Sequence, residues 1–437
     1  MTVRESALIL SAVSPVPVDS GKRLVLNGLL EYFLERLGPE NVHYALVGAP
    51  GEARPSFRGA AYRLDPPGIG EKLITLGRMP FDHSYSAQEA MLGGRGLQQQ
   101  IHALTAWLQP TIEVYDTLRI GQHAPPTPRP RRRALYLDDL FSLRYNKMLN
   151  LKRSDLAAID PLGEFAVHIP GLLRPVIRKP VIYRHLLHME RDRMHRREAE
   201  VLDSFDINLL INSQEVDALR ARSGSSLLQT ITGLMPEIDQ PTRRPVKPPE
   251  FVFLGRLNIP HNDDGIRAFL TIVMPTLVQR LPRVLVRIIG KSPSRELVAL
   301  ANQFNGNVRL EGFVDDLEPL FATATASLVP LRLGSGVKIK VLETLARGLP
   351  VLSTSHGVDG IPVSLDGSDG CKLEDDLSKW PDLLCAMADP VQNAQLSKGA
   401  RTLFDRAYDR SAVMEQYDAI FGLGKYYRYE PHEAAAG

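Results

Sequence analysis

The feature that most constrains this chain is an alternation that stops and then starts again. Apolar runs of strand length, such as ALILSAV, NVHYALVG, TIEVYD, ALYLDD and INLLINS, are separated by stretches with helical apolar spacing, such as RLVLNGLLEYFLERL and IHALTAWLQ. Strands alternating with helices predict parallel α/β packing. The pattern breaks at PEIDQPTRRPVKPPE, which is dense in proline and charge and carries no periodicity. That is linker composition. It then resumes with FVFLGRL, GIRAFLTIVMPTLVQRL, VLVRIIG, ELVALANQF, NVRLEGFV, ATASLVPL, KIKVLETLARG and PVLST. Each half therefore reads as its own doubly wound, Rossmann-like unit, residues 1–235 and 250–405, joined by a linker at 236–249.

A length of 437 residues fits two domains of ordinary size, and 44% hydrophobic with 23% charged residues is ordinary globular composition. A net charge of +2 implies no general attraction for nucleic acid, and no nucleic-acid module or aromatic platform is present. Cys371 and Cys385 have neither CxxC spacing nor neighbouring histidines, so neither a disulfide framework nor a metal site is expected. The run from Ala7 to Val13 is short, follows Arg4 and Glu5, and leads into no cleavage site, so a cytoplasmic location is expected.

In open α/β sheets ligands bind beyond the carboxyl ends of the strands, and two such units facing each other make a cleft. The residues just after the strands are Asp19–Arg23, Asp116–Arg119, Asp138–Arg144, Gly255–Leu257, Gly312–Asp316 and Gly334–Lys340. Gly334 and Gly336 allow a loop whose N–H groups face a ligand. Lys340 and Glu343 are three apart on the following helix, a spacing that fits two readings. One is a surface ion pair worth a few tenths of a kcal/mol. The other gives the ammonium to a phosphate and the carboxylate to vicinal ribose hydroxyls.

The ordered set FLGRL, VRLEGFVDDLEPLF and VPLRLGSGVKIKVLETLARGLPVLSTSHGVDGI resembles the carboxyl-terminal domain of the GT-B glycosyltransferases, specifically family 4 and its relatives in bacterial polysaccharide assembly. SPVPVDSGKRLVLNGLL and YLDDLFSLRY resemble the first domain of the same group. The resemblance implies a nucleotide-sugar donor, UDP- or GDP-linked, on the second domain and a glycan or lipid-linked acceptor on the first. By position, Glu343 matches the ribose-binding glutamate, Arg256 and Lys340 the diphosphate-binding cations, Phe313 and Val314 the base contacts, and Gly21 the glycine-rich turn after the first strand. It also implies that the last segment, 406–437, crosses back to the first domain. One departure stands out: where the family commonly has a second glutamate, eight positions before the ribose-binding one, this chain has Ser335.

The resemblance further implies transfer with retention at the anomeric carbon, with no cofactor and no catalytic metal. Asp116, Asp138 and Asp139 are acceptor-side candidates for the catalytic set, against a capping role that Asp commonly takes. Lys22, Arg23, Arg119 and Arg144 are candidate acceptor or phosphate contacts. The basic stretch 171–197 reads either as a face for an anionic membrane surface or as a solvated helix. A non-catalytic nucleotide-sugar or glycan binding protein and a GT-B epimerase are the alternatives on the same fold.

Overall fold

The computed structural model describes residues 5–18, 20–48, 57–79, 82, 84–127, 130–150, 180–236, 238, 243–334 and 336–424. The chain forms two compact units, one from 1–234 with 414–437 and one from 235–413.

In the first unit, β1 (Ala7–Ser11), β2 (Val42–Val47), β3 (Ala60–Leu64), β4 (Ile112–Asp116), β5 (Arg132–Asp138), β6 (Ile207–Leu210) and β7 (Leu228–Thr230) make one sheet in the order β3-β2-β1-β4-β5-β6-β7. Every pairing is parallel. All five residues of β1 are buried, as expected of a central strand covered on both faces. The helix Gly21–Leu37 starts at Ser20, whose hydroxyl accepts from the Arg23 N–H, and stops at Gly38 with φ of 82°. On that helix Tyr32 and Phe33 meet Tyr417 and Phe421 edge-on, at centroid distances of 5.3 and 4.9 Å. Arg36 pairs with Asp418 at 2.9 Å, and Tyr417 donates to the Thr232 carbonyl at 2.7 Å. These contacts seat the last helix on the first unit, with each aromatic pair worth about 0.5–1.5 kcal/mol beyond its area.

The second unit has β8 (Glu250–Leu254), β9 (Leu285–Ile289), β10 (Val308–Gly312), β11 (Ala326–Val329), β12 (Val351–Ser353) and β13 (Cys371–Leu373), again all parallel, in the order β10-β9-β8-β11-β12-β13. Both sheets thus reverse direction next to their first strand, between β1 and β4 and between β8 and β11. Such a reversal leaves a crevice at the carboxyl ends of the two central strands.

Three details differ from the sequence reading. The stretch GIRAFLTIVMPTLVQRL is two helices, Pro260–Ile272 and Met274–Arg280, because Pro275 cannot donate to the preceding turn and crowds it. The short edge strands β3, β7 and β13 had no pattern of their own. The later half of the proline-rich segment is held by the second unit: Arg244 and Val246 donate to the carbonyls of Ala322 and Thr323 at 2.8 and 3.1 Å.

The basic stretch changes meaning as well. Residues 171–179 lie outside the described residues, and Pro180–Glu200 is a helix. Arg193 is buried, with its guanidinium on the carbonyls of Met79, Asp82 and Tyr85, and Arg197 pairs with buried Glu89 at 2.9 Å. Arg196 pairs with Glu200, and Arg191 with Asp192. Among the described residues, Arg184, Arg191, Arg193, Arg196 and Arg197 of this stretch are each bonded within the unit. Among the described residues no helix is long and apolar enough to cross a membrane.

Candidate active site

At the reversal of the first sheet, register does the assembly. Leu10 of β1 lies opposite Tyr115 of β4, so the next residues, Ser11 and Asp116, come side by side. Ser11 Oγ donates to Asp116 Oδ2 at 2.6 Å, and Lys22 Nζ, in the first turn of the helix that Gly21 opens, sits 2.9 Å from Asp116 Oδ1. Asp138, at the end of β5, lies 3.7 Å from the same ammonium and accepts from Tyr136 OH at 2.9 Å. Its backbone has φ of 70°, a strained left-handed conformation for a residue with a side chain. Burial pushes the Asp138 carboxyl well above its usual range, an effect that Lys22 opposes and that Asp139 and Asp116 reinforce.

The sequence-predicted residues of this unit therefore divide. Lys22, Asp116 and Asp138 meet, but Asp116 is only 1% exposed and both its oxygens are engaged. Its carboxylate is spent on Ser11 and Lys22. Arg119 is buried with Nε toward Thr117 Oγ1 at 3.3 Å, while Arg144 is half exposed over the Phe141 ring, 3.9 Å from Asp139. Arg23 reaches the Pro17 carbonyl at 3.4 Å.

At the reversal of the second sheet, the strand ends close on glycine. Gly255 N–H donates to the Ile289 carbonyl at 3.0 Å, and Gly290 N–H to the Gly312 carbonyl at 2.7 Å. A Cβ on Gly290 would sit 1.9 Å from the Gly255 carbonyl oxygen, so no larger residue fits between β8 and β9. The loop after β11 carries Gly334 and Gly336 at φ of 110° and 78°, conformations that glycine alone takes without strain. Ser335 lies outside the described residues. Lys338 caps this loop by donating to the Gly336 carbonyl at 2.6 Å, and the helix Ile339–Ala346 follows.

Lys340 does not pair with Glu343. Its ammonium donates to Asn262 Oδ1 at 2.9 Å and lies 4.8 Å from the centroid of the Phe253 ring. Asn262 Nδ2 in turn donates to the Arg256 carbonyl at 3.0 Å, so this one amide ties the loop after β8 to the lysine helix. Burial, with the like charge of Lys338, brings the Lys340 pKa down to about 7. His261 sits beside Gly334 and is lowered to about 4 by burial and by both lysines, so it is neutral at physiological pH. Glu343 is half-buried, raised by burial and steadied by Arg347. Arg256 is exposed at the end of β8. Phe313 is 60% exposed after β10, with Lys291 Nζ 3.8 Å from its ring centre and Val314 beside it.

Asn262 and His261 were missed in the sequence. They lie in PHNDDG, three residues after the Gly-Arg pair, and no sequence signal marks them, because the lysine helix they meet is reached only through the fold. Among the described residues no group of three His, Cys, Asp or Glu side chains is arranged to hold a metal ion.

Two doubly wound parallel units, each with its polar residues at the sheet reversal, define the GT-B class of glycosyltransferase fold. Residues 248–389, within the second unit, match the family described as glycosyl transferases group 1. The phosphatidyl-myo-inositol mannosyltransferase of Mycolicibacterium smegmatis is 30% identical over 191 residues, 40% of this chain and 46% of that protein. The match thus spans about half the length of that curated relative. The sucrose-phosphate synthase of Thermosynechococcus elongatus superposes with a TM-score of 0.63 at 14% identity, over 96% of this chain and 98% of that one. The Anabaena protein HepE, solved with UDP and glucose, superposes with a TM-score of 0.56 at 12% identity, over 96% and 99%.

Proposed function

We propose that the protein is a glycosyltransferase that moves a sugar from a UDP- or GDP-linked donor to a hydroxyl of a glycan or lipid-linked acceptor, with retention, in polysaccharide assembly at the cytoplasmic face of a membrane. The observation that carries this reading is Lys340, bonded to Asn262 and joined to no carboxylate among the described residues, beside Lys338 and the glycines Gly334 and Gly336 after β11, with Asn262 tying it to the backbone of Arg256 at the end of β8. A partly desolvated cation such as Lys340 stabilises charge that develops on a leaving diphosphate. Glu343 holds the ribose hydroxyls, and Phe313 with Val314 lies against the base.

In the transfer step the bond from the anomeric carbon to the diphosphate oxygen breaks, and the acceptor hydroxyl bonds to the same face. Its proton passes to an oxygen of the departing diphosphate. Asp138 and Asp139 order acceptor hydroxyls. The chain's own cations carry the leaving charge, so this reading calls on no metal. NMR of the product formed from a panel of nucleotide sugars tests it: the expected product keeps the donor's anomeric configuration, and an inverted one overturns retention. A thermal-shift screen of UDP, GDP and their sugars tests the donor site, since a ligand at 100 times its Kd adds about 2.7 kcal/mol. No shift with any of them overturns it.

A further inference from the structure

The second unit has another cavity, far from the strand ends just described. It has a volume of about 640 Å³ and is lined by residues immediately before three strands: 247–249 before β8, 281–284 before β9 and Thr325 before β11. It therefore opens at the amino-terminal edge of the sheet, opposite the donor loops. Four cations line it, Arg243, Lys247, Arg280 and Arg283, and no acidic residue does. Only Arg280 has a carboxylate partner among the described residues, Asp382.

Arg243 is the unusual member. It is half-buried, and its terminal nitrogens donate to the carbonyls of Gly348 at 3.1 Å and Ala324 at 2.6 Å. Its Nε is fully buried and has no hydrogen-bond partner. Burial lowers its pKa to about 10, with no acid opposing that shift. Carbonyl dipoles partly offset such a charge, whereas an anion offsets it fully. Five prolines in the wall hold the cavity's shape, so a ligand orders little on entering. The volume exceeds what a bare phosphate needs and lies in the range of small-molecule sites. The Ser397 hydroxyl in the wall, donating to the Gly348 carbonyl at 2.7 Å, keeps lone pairs for a ligand hydroxyl.

We infer that this cavity is a binding site for a small phosphorylated sugar, distinct from the donor site, with its phosphate among Arg243, Lys247 and Arg283. Lys247 and Arg283 are exposed, so replacing them leaves the fold intact, whereas Arg243 also ties the chain to two carbonyls. The test is calorimetric titration of the full chain with glucose 6-phosphate, with glucose as the neutral control. The wild type is expected to bind glucose 6-phosphate and not glucose. The Lys247→Ala, Arg283→Ala double variant is expected to weaken binding by about tenfold or more, and Lys340→Ala to leave it unchanged. Absence of binding at millimolar glucose 6-phosphate overturns the inference. So does equal binding of glucose, unchanged affinity in the double variant, or loss of binding in Lys340→Ala, which would assign the heat to the donor site.

Discussion

The two units repeat one topology and treat charge at its reversal point in opposite ways. In the first, Lys22 is closed off by Asp116 at 2.9 Å and Asp138 at 3.7 Å, so the cation is neutralised from within. In the second, Lys340 has an amide for a partner and a second lysine nearby, and its ammonium is destabilised. The fold supplies the crevice in both cases, and the side chains decide whether it is a brace or a receptor. A self-neutralised cluster holds structure, whereas unneutralised charge beside a polar loop is held for an anion that arrives.

The sharpest way to break this contrast is at Lys340. Lys340→Ala is expected to lower kcat/KM of transfer by about a thousandfold, the scale of removing one charge-stabilising donor from a site. The same substitution is expected to leave thermal stability unchanged or raised, because it removes a cation whose burial is unfavourable. A fall in Tm would show that Lys340 is a brace like Lys22. The mirror experiment is Asp116→Ala. Removing the best partner of a buried ion pair costs about 3 kcal/mol, so denaturant unfolding of the first unit is expected to shift by that amount while nucleotide binding by the second unit is unchanged. Stability equal to wild type would return Asp116 to the acceptor-facing set.

Glu343 gives a smaller and more selective effect. Glu343→Ala is expected to weaken nucleoside diphosphate binding by about ten- to a hundredfold, the cost of a lost charged hydrogen bond, and to leave pyrophosphate binding unchanged because pyrophosphate has no ribose. Equal weakening of both, measured by titration, would place Glu343 on the diphosphate instead.

The sequence shows the strand and helix alternation because central strands such as β1 are buried on both faces and must be apolar throughout. It hides β7 and β13, three residues each, because their neighbours' ladders hold them and not their own pattern. The loop after β11 was legible for a related reason: Gly334 and Gly336 are the residues that positive φ demands. Asn262 was not. Its role is to bridge Arg256 and Lys340, 78 positions apart in its bond to the lysine, and only folding makes that bond. The pairing of Asp116 with Lys22 was not legible either, because a carboxylate just after a strand looks the same in sequence whether it faces a ligand or a lysine.

The pH dependence of Lys340 closes the comparison, and it predicts two opposite trends from one group. With a folded pKa near 7 against an ordinary value of 10.5, the free protein holds fewer protons here than the unfolded chain between those limits. Its stability contribution therefore rises as pH climbs above about 7, and below that the full cost of burying the charge is present. A bound diphosphate stabilises the ammonium, so binding takes up a proton above pH 7. Affinity for a nucleotide sugar, whose diphosphate does not titrate near neutrality, is then expected to fall by up to about tenfold per pH unit above 7. His261, lowered to about 4, stays neutral across this window and adds nothing to the slope. Calorimetry in buffers of different ionisation enthalpy reads the proton directly. Lys340→Met should abolish both the uptake and the slope, while Asp116→Ala should leave both in place. If the slope survives in Lys340→Met, the titrating group is elsewhere in the loop, and the contrast between the two lysines loses its physical basis.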